Sequence, residues 1–86
     1  MKIKEGFLLR DVAGNHVVVP VGQVDFDGMI KLNETGAFLW NLMSRDTDAD
    51  HLVNALLSEY NVDRSAAAKD VEAFLQKLRN AELLDE

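Results

Sequence analysis

At Leu32–Asn33 the chain stops reading as strand and starts reading as helix, and this limits the fold more than any other feature. Before that point "GFLLRDV" and "HVVVPV" are rich in β-branched and aromatic residues. Between them "AGN", Ala13 to Asn15, reads as the turn of a hairpin. Pro20 cannot donate to a ladder, which leaves that end of the second strand unpaired on one side. "GQVDFDG" is a looser connection with a turn signal at Asp27-Gly28. "GMIKL" is then a short third strand, with Ile30 and Leu32 on one face and Met29 and Lys31 on the other.

From Asn33 onward the apolar residues recur at helical spacing. In "LNETGAFLW" Asn33 is a favoured helix N-cap, and Glu34 places negative charge at the positive end of the helix dipole. Gly36 costs about 1 kcal/mol of helix propensity against alanine, so its presence predicts a close approach by another group. The first helix runs to about Met43 with Phe38, Leu39, Leu42 and Met43 on its apolar side. Trp40 lies off that stripe, which leaves two places for it, completing the core from the side or partly exposed, and the core is the expected one. Thr47 with Asp50 reads as a capping box for a second helix that buries Leu52, Val53, Leu56, Leu57 and Tyr60. Asp63 caps a third helix with the stripe Ala67, Val71, Phe74, Leu75 and Leu78. Leu83 and Leu84 are expected to fold back onto the core. The expected fold is α+β and winged helix-turn-helix-like: a three-stranded antiparallel sheet followed by three helices, in a single domain over residues 1–86.

The length suits one small core, and 48% hydrophobic residues predict a folded chain. No apolar run is long enough for a membrane span, and "MKIKEGFLL" does not read as a secretory leader, so a cytoplasmic location and no membrane partner are expected. The absence of cysteine excludes a disulfide framework, a thiolate nucleophile and the common zinc and iron–sulfur sites. Fifteen acidic against nine basic residues give a net charge of −6, which argues against binding nucleic acid.

Reactive constellations are missing. His16 and His51 have no metal-ligand spacing between them. "DFDG", Asp25 to Gly28, lacks the further ligands of a calcium loop and reads as turn chemistry. Ser44, Ser58 and Ser65 fall in no nucleophile motif, and Gly36 belongs to no phosphate-binding loop. No acid, base and oxyanion site assemble, so the chain is read as a non-enzyme without metal or cofactor. Binding surface remains. The third strand is an edge in a simple meander, partly blunted by Lys31, and an open edge beside an amphipathic helix suits an extended peptide.

The ordered set "LNETGAFLWNLM", Thr47, "ALLSEYNVD" and "DVEAFLQKLRNAELL" resembles the PqqD family, named for the peptide chaperone of pyrroloquinoline quinone biosynthesis. Its domain is also called the RiPP recognition element. The resemblance spans nearly the whole chain and is strongest from Met29 to Leu84. It implies a domain that binds the leader of a ribosomally made precursor peptide as an added strand beside the third strand and against the third helix. It also implies presentation to a modifying enzyme, in many systems a radical S-adenosylmethionine protein. Mapped by this resemblance, the groove involves Met29, Ile30, Lys31 and Leu32, with Val71, Phe74, Leu75 and Leu78 along the helix. The residues do not separate groove from core among these helix positions, nor which parity of the edge points outward. Glu82 departs from the family, standing where members often carry a helix-ending glycine.

Two other readings stay open on the sequence: a winged-helix DNA-binding regulator, and a structural subunit with no peptide client. A monomer is expected, with an edge-paired dimer as the alternative.

Overall fold

The computed structural model describes residues 1–21 and 30–86. A six-residue strand β2 (Phe7–Val12) and a six-residue strand β3 (Asn15–Pro20) form the hairpin. Strand β1 (Lys2–Ile3) precedes them and β4 (Ile30–Leu32) follows. Three helices come next, α1 (Glu34–Leu42), α2 (Ala49–Glu59) and α3 (Arg64–Asn80), and β5 (Leu84–Asp85) ends the order. The sheet order is β2-β3-β4, antiparallel throughout. Met29, "GQVDFDG" and "DFDG" lie outside the described residues.

The hairpin turn holds Ala13 at φ 51° and Gly14 at φ 82°. Positive φ at both central residues is the signature of a type I′ turn, whose twist matches that of the flanking strands. Glycine meets this requirement freely, whereas Ala13 adopts a conformation unfavourable for an L-residue.

The core lies between the sheet and the helices. Val18 and Leu32 from the sheet meet Leu39 and Met43 of the first helical segment, Leu52 and Leu56 of α2, and Ala67, Val71, Leu75 and Leu78 of α3. Trp40 is buried although it stands off the stripe, completing the core from the side. Leu42 is not: it is 39% exposed, since α1 turns that flank to solvent at its last turn. Phe38 meets Tyr60 edge to face at 5.6 Å between ring centroids, fastening α1 to the end of α2.

Each helix begins on a side-chain cap. Asn33 Oδ1 accepts from Gly36 N–H at 2.8 Å, and Asp63 Oδ1 from Ala66 N–H at 2.7 Å. For α2 the cap is Asp48, accepting from His51 N–H at 2.9 Å, and not Thr47. Asp48 is in extended backbone one residue nearer the helix, where its carboxylate reaches the third N–H. Gly36 has the close neighbours its position predicted. A Cβ there would stand 3.1 Å from Asn33 Oδ1 and 3.3 Å from Leu32 Cβ, so a side chain would press on both the cap and the strand it follows.

Helix α3 ends in a Schellman motif. Leu83 N–H donates to Leu78 C=O at 2.9 Å and Glu82 N–H to Arg79 C=O at 3.0 Å. Glu82 takes the left-handed φ of 59° usually given to glycine, so the helix stops as a glycine would stop it, at the expense of backbone strain. The motif turns Leu83 and Leu84 into the core, where they are 0% and 8% exposed. It also lays β5 against β1 in a two-stranded antiparallel sheet. That second sheet gave no sequence signal because its strands are two residues long.

Candidate functional site

The register of the hairpin decides which way the edge of β4 faces. Val12 and Asn15 close a two-residue loop and therefore exchange both main-chain hydrogen bonds. Alternation then makes Arg10↔Val17 and Leu8↔Val19 bonded pairs, and the bond from Val21 N–H to Gly6 C=O at 2.8 Å continues the same parity. Val17 thus turns its main chain toward β2, while His16 and Val18 turn theirs toward β4. Their partners on β4 are Leu32 and Ile30, with Lys31 opposite Val17. Ile30 and Leu32 are consequently committed to β3, and both polar main-chain groups of Lys31 point away from the sheet. Pro20 fits this order, since it stands in the non-bonded pair with Phe7 and its missing N–H takes nothing from β2.

Helix α3 runs beside this edge. Lys77 Nζ donates to the outward carbonyl of Lys31 at 3.3 Å. A cavity of about 110 Å³ opens next to that contact, between the end of β4, the start of α1 and α3. Leu32, Asn33, Thr35, Asp70, Phe74 and Lys77 are among the residues that line it. Asp70 makes no hydrogen bond or ion pair among the described residues. The remaining basic residue in the last turn, Arg79, is tied to Glu86 at 3.1 Å, a pairing that raises the Arg79 pKa and lowers that of Glu86.

The structure brings Leu32 and Phe74 together on the cavity wall, with Ile30 and Lys31 on the strand that leads to it. Phe74 is 6% exposed, so it belongs to core and groove at once. Val71, Leu75 and Leu78 are buried in the core and do not line the cavity. Met29 lies outside the described residues. Sequence reasoning missed Asp70 and Lys77. The available signal was their spacing: they stand four residues before and three after Phe74, on the polar margin of the same helix face.

The two histidines each face one carboxylate, His16 with Asp11 and His51 with Asp48. No helix among the described residues is long and apolar enough to cross a membrane.

An antiparallel sheet with an outward-facing edge, followed by three helices of which the last flanks that edge, is an α+β domain of the winged helix-turn-helix-like kind. Residues 15–84 match the family model described as coenzyme PQQ synthesis protein D (PqqD), and the chain belongs to the PqqD family. Among solved structures it is similar to TbiB1 in complex with the TbiA(beta) leader peptide. That match has 27% identity and a TM-score of 0.76, covering 99% of this chain and 95% of that one. It shares its fold with lasso peptide synthetase B1 complexed with the leader peptide, at 19% identity and a TM-score of 0.70, over 92% of this chain and 89% of that one. No curated protein matches the chain.

Proposed function

We propose that this chain binds the leader segment of a ribosomally synthesised precursor peptide by strand addition along β4 and presents it to a modifying enzyme, without catalysis of its own. The observation that carries this reading is the outward main chain of Lys31 lying beside α3. An added strand needs a donor and an acceptor at alternate positions and a wall for the side chains that point to one side. Lys31 supplies the first, and Phe74 with Leu32 supplies the second. Membership of the PqqD family and the likeness to TbiB1, solved with a leader peptide, support it.

In this reading Lys31 holds the peptide main chain, while Ile30 and Leu32 fix the edge by their pairing with β3. Phe74 forms the floor, and Val71, Leu75 and Leu78 hold Phe74 in place from behind. The chain acts as a monomeric single domain over residues 1–86 in the cytoplasm, and a radical S-adenosylmethionine protein is the enzyme class we propose as its partner. A DNA-binding role is disfavoured, because α2 carries no Lys or Arg and the net charge is −6.

The test is titration of the domain with the fluorescently labelled leader of a precursor peptide identified from the neighbouring genes. Saturable binding that is lost when the leader is deleted from the precursor is expected. Equal affinity for leader and core segments would overturn leader recognition.

A further inference from the structure

Main-chain pairing along β4 explains how a strand is held, but not which strand. The charges on α3 bear on that question. Asp70 and Lys77 both line the cavity, with Phe74 between them. Seven residues of helix separate their Cα atoms by about 10.5 Å. Both are exposed, and neither has a carboxylate or ammonium partner among the described residues. Among the described residues the one side-chain hydrogen bond of Lys77 goes to the Lys31 carbonyl, which is the acceptor an added strand would use. When a peptide N–H takes that acceptor, the Lys77 ammonium is released at the groove with nothing to bind. Asp70 is in that condition already.

We propose that Asp70 and Lys77 select the leader by charge order, favouring an extended segment with a basic residue followed two or four positions later by an acidic one. The inference rests on the strand-addition reading and deepens it. Lys77 stands at Lys31, and Asp70, about two turns earlier on α3, lines the same cavity as Asn33 and Thr35, which follow β4 in the chain. In this proposal β4 runs from the Lys77 end of the groove toward the Asp70 end. A strand added antiparallel, the direction of every pairing in this sheet, passes Asp70 first and Lys77 second. At about 3.3 Å per residue the gap corresponds to roughly three residues. Side chains on one face recur every second residue, so the matching positions are two or four apart.

The experiment is selection from a displayed library of random 12-residue peptides. It uses the parent domain, the double reversal Asp70→Lys with Lys77→Asp, and Lys31→Pro, each checked for folding by circular dichroism. The parent should enrich peptides with base before acid at the stated spacing, and the double reversal should enrich the opposite order. For a synthetic peptide from the parent pool, exchanging its two charges should weaken binding by about five-fold, the combined effect of losing two weak, exposed ion pairs. The double reversal should restore that loss. Pools without charge order that still disappear with Lys31→Pro would overturn the charge selection and leave strand addition standing. Pools that survive Lys31→Pro would overturn both.

Discussion

Lys77 Nζ reaches the main-chain oxygen of Lys31 at 3.3 Å, so the last third of α3 covers an acceptor that the sheet itself leaves unused. The same geometry leaves the Lys31 N–H pointing outward with no strand beyond it among the described residues, whereas the Leu32 N–H is directed to His16. Amide hydrogen exchange followed by NMR should therefore show little protection at Lys31 and clear protection at Leu32. Added leader peptide should slow exchange at Lys31. Protection at Lys31 and none at Leu32 in the free protein would mean that the register is reversed.

Phe74→Ala should destabilise the domain by about 3–5 kcal/mol, the usual loss for truncating a buried phenylalanine. Phe74 joins the core through Val71 and Leu78 while lining the groove with Leu32. Thermal melts would measure the loss, and an unchanged melting temperature would place the ring outside the core.

Glu82→Gly should raise stability by about 0.5–1 kcal/mol. The left-handed conformation costs an L-residue about 1–2 kcal/mol, and glycine returns part of this through its greater freedom when unfolded. The two Schellman bonds at Leu83 and Glu82 involve main-chain atoms only and survive the change. Urea titration is the measurement, and a fall in the midpoint would show that the Glu82 side chain offsets the strain.

Asp48 should make α2 sensitive to acid. The His51 main-chain N–H, hydrogen-bonded to its carboxylate, holds the Asp48 pKa below its ordinary 3.8. A carboxylate whose pKa is lower in the folded state adds stability that is fully present above the unfolded pKa. That stability disappears as pH falls through the folded value. Melting curves between neutrality and pH 2 should thus show a steeper acid loss for the parent than for Asp48→Ala, which melts lower at pH 7. Thr47→Ala should retain the acid response of the parent, since Thr47 is not the cap.

The order of elements, the period change at Leu32–Asn33 and the caps at Asn33 and Asp63 were all legible in the sequence, because each follows from local spacing or from one side chain bonding a nearby N–H. The cap of α2 was misplaced by one residue. "DTDAD" offers several oxygen-bearing residues in succession, and only the backbone turn decides between Thr47 and Asp48. Exposed Leu42 was misread because its helical phase matches Phe38 and Leu39, and the sequence carries no record of where neighbouring helices end. The β1–β5 pairing joins residues at opposite ends of the chain, which no local pattern encodes. Within the site, Phe74 and Leu32 could be read from the apolar stripes. Lys77 and Asp70 could not, since their significance depends on a strand far away in sequence.

The central claim is strand addition at Lys31, and its most direct test compares proline at two neighbouring positions. In Lys31→Pro the lost N–H points away from β3, so the ladder keeps its bonds and circular dichroism should report a folded domain. In Ile30→Pro the lost N–H belongs to the pairing with Val18, and the sheet itself is weakened. Fluorescence anisotropy with the labelled leader should then show binding abolished or strongly weakened by Lys31→Pro, and nearly unchanged in a Lys31→Ala control that keeps the N–H. Parent affinity in a folded Lys31→Pro variant would contradict the account, because the leader would then be held without the edge of β4.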